Sequence, residues 1–220
     1  MQNFKIAAFA LAMCVLALSG NKSIIVIDAG HGGWDPGKIS ADGHEERHIN
    51  LAIADFLQEH LEASGAIVFR TRVDDVALGD KKRIDLQARA SMATEFGADL
   101  FISIHQNAFP KQNVKGAQVF YYQDSKESKL LAEAIQARIK DSLDPANNMS
   151  AKGNDAYFLL KETATPAVIV ECGFFTNHEE LAKLITEDYQ QRIAWAIYLG
   201  ISDFLYAQTN PTEKDNAQNQ

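Results

Sequence analysis

Ile24-Ile25-Val26-Ile27-Asp28-Ala29-Gly30-His31 is the stretch whose reading decides the fold. A short apolar run bounded by turn residues is the signature of a strand buried on both faces. Two later runs have the same build: Leu100-Phe101-Ile102-Ser103-Ile104-His105 and Ala167-Val168-Ile169-Val170-Glu171. Each ends in a group able to bind a metal or carry a proton. In an open α/β sheet the carboxyl ends of such strands converge on one crevice. Two histidines and a glutamate from distant parts of the chain are therefore expected to meet, and that donor set points to zinc.

Between these runs the pattern is helical. Glu46 to about Ser64 carries Ile49, Ile53, Phe56 and Leu57 at helical spacing, with Gly65 as a stop. Ala66 to Arg70 reads as a short strand, and Lys81 to Phe96 as a second helix ending at Gly97. Gly116 to Tyr122 alternates and is aromatic, which suits a strand. Glu127 to Leu143 reads as a helix, Ala156 to Leu160 as another strand, and Glu179 to Ile185 and Asp188 to Leu205 as helices. In the last of these, Ile193, Ile197 and Ile201 share one face. Strands alternating with helices predict a single α/β domain: a twisted, mostly parallel sheet with helices on both faces.

The chain's 220 residues, 46% hydrophobic and 23% charged, suit one ordinary globular domain. A formal net charge of −8 disfavours a nucleic-acid binder and electrostatic docking on anionic lipid. At the start, Lys5, the apolar stretch from Ile6 to Leu18 and the small residues of Ala17-Leu18-Ser19 read as a cleaved export signal over residues 1–19. That stretch is short of the roughly 20 residues of a membrane span, so no stable span is expected after its removal. Met13 before Cys14 does not suit lipidation, and the remaining thiol, Cys172, has no partner for a disulfide. The folded domain is expected over residues 23–207. The tail over 208–220 lacks an apolar anchor and reads as disordered.

Several residues have competing readings. Glycines around His31 let the backbone turn sharply and approach a ligand closely. A turn histidine and a packed core histidine are the plain readings of His31 and His105, but their positions at strand ends favour function. In Gly43-His44-Glu45-Glu46-Arg47-His48 the helix dipole accounts for Glu45, while His44 and His48, four apart, form an alternative ligand pair. Glu171, after four apolar residues, is costly to bury unless paired, metal-bound or catalytic. Cys172 alternates to the opposite face from Glu171 and reads as an inert buried thiol rather than a nucleophile.

Four segments carry a family resemblance: Ile-Asp-Ala-Gly-His-Gly-Gly (27–33), Glu-Arg-His-Ile-Asn-Leu (46–51), Ser-Ile-His-Gln-Asn-Ala (103–108) and Pro-Ala-Val-Ile-Val-Glu-Cys-Gly-Phe (166–174). In this order they resemble the zinc-dependent N-acetylmuramoyl-L-alanine amidases of the type 3 catalytic domain, over about Ile24 to Leu205. Thr71-Arg72-Val73-Asp74 and Arg89 also resemble family positions. His48 departs from the acidic or amide residue usual there.

The resemblance implies zinc (Zn2+) held by His31, Glu46 and His105, with Glu171 as the catalytic carboxylate. Glu46 is preferred to Glu45 because the family places a basic residue after its ligand, and Arg47 fits. Asp28 and Asn107 are implied as supports behind the ligating histidines. The implied substrate is peptidoglycan, cut between N-acetylmuramic acid and L-alanine to release stem peptides. An exported monomer in the periplasm or cell-wall space follows, with the need for a protein activator left open. Another zinc amide hydrolase and a non-enzymatic wall-binding module are the competing functions. The length between His105 and Glu171 is used up by a strand, a helix and a short strand, so no inserted helix is expected to plug the site.

Overall fold

The computed structural model describes residues 22–210. The expected signal segment lies outside the described residues, as does the expected tail beyond residue 210. Six strands form one sheet: β1 (Ile24–Ala29), β2 (Ile67–Arg70), β3 (Leu100–Asn107), β4 (Gln118–Tyr122), β5 (Lys152–Asn154) and β6 (Ala167–Phe174). Their order is β2-β1-β3-β6-β4-β5. The pairs β1–β2, β1–β3 and β3–β6 are parallel, β4 runs antiparallel to β6, and β5 is parallel to β4. The helices are α1 (Glu46–Ala63), α2 (Lys82–Glu95), α3 (Lys126–Ser142), α4 (Phe158–Glu162), α5 (His178–Leu184) and α6 (Glu187–Thr209). This is the single, mostly parallel α/β domain that the sequence predicts.

Strand alternation sorts the side chains into two cores. Ile25 and Ile27 of β1, Ile102 and Ile104 of β3, and Val170 and Cys172 of β6 face α1, α3 and α6 in the larger core. Val26, Phe101 and Ile169 face the other way, against Ala90 and Ala93 of α2 and Leu159 and Leu160 of α4. Asp28, Ser103, His105 and Glu171 fall on this second, thinner-walled face by the same alternation. Cys172 is fully buried opposite them, and burial pushes its thiol well above the ordinary range.

The helices end where the sequence supplies stops. Ile49, Ile53 and Leu57 of α1 are buried, and Gly65 turns the chain after the helix at φ +96°. Ile193, Ile197 and Ile201 of α6 are fully buried. That helix runs to Thr209, taking in the first two residues of the expected tail.

One element differs from its expectation. Residues 156–160 do not form a strand: β5 lies earlier, and Phe158 to Glu162 form the short helix α4. The side chain of Asn154 accepts from the backbone N–H groups of Ala156 and Tyr157, each at 2.8 Å, which ends the strand and opens a helical turn. Among the described residues no helix is long and apolar enough to cross a membrane.

Candidate active site

β1 ends in a turn that aims His31. The backbone at His31 is left-handed (φ +63°), a conformation few residues with a side chain adopt, and Gly32 and Gly33 follow at φ +129° and +58°. Gly30 is required by a close approach instead: a Cβ there would sit 2.2 Å from the His105 ring. His31 donates from Nδ1 to Asp35 Oδ2 at 2.9 Å, so its neutral form turns a bare Nε2 lone pair toward Glu46 Oε1, 3.2 Å away. Burial alone would lower the His31 pKa, but Glu46 and Asp35 outweigh it and raise it.

Glu46 is the first residue of α1, and its carboxylate lies between the two imidazoles. Oε1 is 3.0 Å from His105 Nδ1 and accepts from Gln106 N–H at 3.0 Å, while Oε2 accepts from Lys38 N–H at 2.9 Å. One helical turn on, Asn50 donates through Nδ2 to Glu46 Oε1 at 3.3 Å and to the Gly30 carbonyl at 3.1 Å. The Asn50 side-chain oxygen accepts from Gln106 Nε2 at 3.1 Å. Burial opposes the Glu46 charge, yet the two imidazoles hold its pKa far below the ordinary carboxylate range.

His105 and Glu171 are register partners on the parallel pair β3–β6, and a bulge follows at once, between His105 and Asn107. Glu171 is 8% exposed, and its Oε2 is buried without a hydrogen-bond partner. Burial raises its pKa to about 7; the His105 and His31 charges pull the other way, and Glu46 adds to the rise. All four groups line one cavity of about 270 Å³, walled by Leu86 of α2 and by Tyr157 and Phe158 at the start of α4. His31 and His105 keep 18% and 21% of their side chains exposed, so the cavity is open to solvent. Of the elements between His105 and Glu171, α3 packs in the opposite core and α4 forms a wall without covering the imidazoles.

The ring nitrogens of His31 and His105 are hydrogen-bonded to Asp35 and Glu46 rather than to the expected supports Asp28 and Asn107. Asp28 accepts from Thr71 Oγ1 (2.7 Å), Ser103 Oγ (2.6 Å) and Arg89 Nη1 (2.8 Å). Burial would raise its pKa, but Arg89 and the two hydroxyls bring it down to about 2. Arg89 in turn donates to the carbonyls of Ala29 and His31 at 2.9 and 2.7 Å. Arg72 donates to those of Ala29 and Gly30 at 2.8 and 3.0 Å. Two buried guanidinium groups thus pin the backbone that carries His31. Asn107 instead caps its own turn, its Oδ1 accepting from Ala108 N–H at 2.8 Å.

Among the described residues, His31, Glu46 and His105 form the group whose donor atoms come together, all within 4.8 Å of one another. His44 and His48 do not join it; His48 is 57% exposed and lies 3.3 Å from Glu45, which accepts from Arg47 at 2.6 Å. Asp35, Asn50 and Gln106 are the site residues that motif reading did not assign. Asn50 carried the one readable signal, a position four after Glu46 and so on the same helical face. Two imidazole nitrogens and one carboxylate match the donor set of catalytic zinc sites. The two Glu46–imidazole separations, 3.2 and 3.0 Å, are also close to the roughly 3.3 Å between donors around a tetrahedral ion bound at about 2 Å.

The sequence profile of the N-acetylmuramoyl-L-alanine amidases matches residues 25–203. The chain is 33% identical over 206 residues to the germination-specific N-acetylmuramoyl-L-alanine amidase of Bacillus subtilis, covering 90% of this chain and 85% of that one. It is 30% identical over 231 residues to N-acetylmuramoyl-L-alanine amidase AmiA of Escherichia coli, covering 86% and 78%. Among solved structures it resembles the CwlD amidase from Clostridioides difficile, in complex with the GerS lipoprotein. There the TM-score is 0.80 and the identity 42%, over 84% of this chain and 98% of that one.

Proposed function

Because the chain belongs to the N-acetylmuramoyl-L-alanine amidase family, we propose that it is a zinc-dependent hydrolase of the amide joining N-acetylmuramic acid to L-alanine in peptidoglycan. The observation that carries the zinc reading is the Glu46 carboxylate set between His31 and His105, with Glu171 level with His105 on the next strand. His31, Glu46 and His105 would hold the ion and leave one position open. Bound there, zinc supplies a Lewis acid for the scissile carbonyl and acidifies water toward a pKa of about 7.

The chain's own groups do the rest. Asp35 holds the His31 ring in one tautomer. Asn50, Gln106 N–H and Lys38 N–H fix both oxygens of Glu46. Glu171, with its orphaned Oε2 and raised pKa, takes the proton of the attacking water and hands it to the L-alanine nitrogen. A C–O bond forms at the lactyl carbonyl, the C–N bond breaks, and the peptide leaves with a free amine.

Site of action and start of the chain agree: the substrate lies outside the cytoplasmic membrane, and residues 1–19 read as an export signal. A regulating protein partner fits the same reading, since one relative was solved in complex with a lipoprotein. Glu171→Ala tests the assignment: it should retain zinc and release no stem peptide, whereas His31→Ala and His105→Ala should lose zinc as well. Stem-peptide release by Glu171→Ala at the wild-type rate contradicts the role given to that carboxylate.

A further inference from the structure

We infer that Trp34, in the turn between the cavity-lining residues His31 and Asp35, is a stacking platform for an N-acetylhexosamine ring of the glycan strand; this rests on the amidase reading above. Gly32 and Asp35 exchange both backbone hydrogen bonds, at 2.8 and 3.2 Å, so Gly33-Trp34 is the tip of a two-residue turn. The base of that turn is the site itself, since Asp35 accepts the His31 Nδ1 bond.

The indole is 51% exposed, unusual for a residue with so much apolar surface to bury. It is nevertheless fixed. Its Nε1–H donates to the Gly79 carbonyl at 2.7 Å. The preceding residue is also tied down: Asp75 accepts from Gly33 N–H at 2.8 Å and pairs with Arg47 at 3.1 Å. Gly79 has no room for a Cβ, which would stand 2.6 Å from Asp85 N and 2.8 Å from Ile84 Cγ2. With its donor engaged, the half-exposed ring is held in place before any ligand arrives, an arrangement that lowers the ordering cost of binding.

The occupant follows from the connectivity of the substrate. The scissile carbonyl is joined to its own sugar through the lactyl ether, so that sugar must sit at the cavity mouth when the carbonyl lies among His31, Glu46, His105 and Glu171. The neighbouring ring of the strand then passes over the rim. N-acetylglucosamine is uncharged and has an apolar ring face, which matches the half-exposed Trp34.

The probe is a chitin oligosaccharide, which has the sugar rings but neither lactyl group nor peptide. Trp34 and Trp195 are the two tryptophans of the chain, and Trp195 packs against His60 and Tyr198. Titration should shift or quench wild-type tryptophan emission saturably, and Trp34→Ala, which keeps Trp195, should lose the response. In turnover, the ratio of kcat/KM on a glycan-linked substrate to that on a muramyl-peptide monomer should fall about tenfold in Trp34→Ala, or about 1.4 kcal/mol. Trp34→Phe, which keeps a flat face, should recover most of that ratio.

An emission response that persists in Trp34→Ala, or an unaltered ratio, overturns the assignment. So does a loss of zinc affinity with both substrates slowed alike, since Trp34 would then only prop the His31 loop. If the wild type cleaves neither substrate, the amidase reading fails, and the titration still decides the sugar subsite.

Discussion

Glu171 shows what a single buried carboxyl costs and what it can do. Its folded pKa of about 7 lies above the ordinary value of 4.5, so the folded metal-free protein holds a proton that the unfolded chain has released between those limits. Stability of the metal-free form therefore falls as pH rises from about 4.5 to 7 and stays reduced above. Glu171→Gln should remove that penalty and stabilise the metal-free protein at pH 8 by up to about 3 kcal/mol, measured by denaturant unfolding. A variant no more stable than wild type at pH 8 contradicts the burial argument. In the zinc-loaded protein the same substitution should lower kcat by about 10³-fold with zinc content retained, measured by metal analysis beside turnover. The buried charge was legible in the sequence because four apolar residues precede Glu171. Asp35 and Gln106 were not, because what defines them is the ring or carboxylate they touch.

At the scale of elements, the sheet works as a ruler. The apolar runs identify β1, β3 and β6, and strict alternation then brings Asp28, His105 and Glu171 to one face. Glu46 comes from a helix start, where strand pattern carries no information and the ordered motifs do. What apolar pattern does not encode is strand direction, so β4 running antiparallel to β6 is visible only in the pairing. Nor does it reveal the side chain of Asn154 capturing two backbone donors to convert an expected strand into α4.

The carboxyl end of β1 depends on the buried Asp28–Arg89 pair at 2.8 Å. Arg89→Met should destabilise the protein by about 3 to 5 kcal/mol, because it leaves the buried Asp28 charge without its counter-ion, with only the Thr71 and Ser103 hydroxyls to solvate it. The Asp28 pKa is depressed, so its contribution is fully present above 3.8 and is lost as pH falls toward about 2. Acid unfolding should therefore steepen in that window in wild type and not in Arg89→Met, as followed by circular dichroism. Gly30→Ala should weaken zinc binding without replacing any of the three ligand residues, because the added methyl displaces the His105 ring; competition with a chelator measures it. Unchanged affinity in that variant contradicts the packing argument.

Across the whole molecule, a thick core on one side of the sheet supports a thin, open face on the other. α1, α3 and α6 bury the larger core, while α2 and the short α4 leave space above His105 and Glu171 for the cavity. The three groups proposed to hold zinc come from the turn after β1, from α1 and from β3, so the ion would tie together segments far apart in the chain. Zinc at about a thousandfold its Kd should add about 4 kcal/mol to stability, and a chelator should lower Tm accordingly. A Tm indifferent to zinc contradicts binding at this site.

The central claim concerns a bond, and mass analysis of intact peptidoglycan digested by the zinc-loaded protein tests it most directly. The predicted products are stem peptides with a free L-alanine amine and glycan strands with intact muramic acid, formed about 10³-fold more slowly by Glu171→Gln. Products cut within the stem peptide or between sugars, or the same products from Glu171→Gln at the wild-type rate, contradict it.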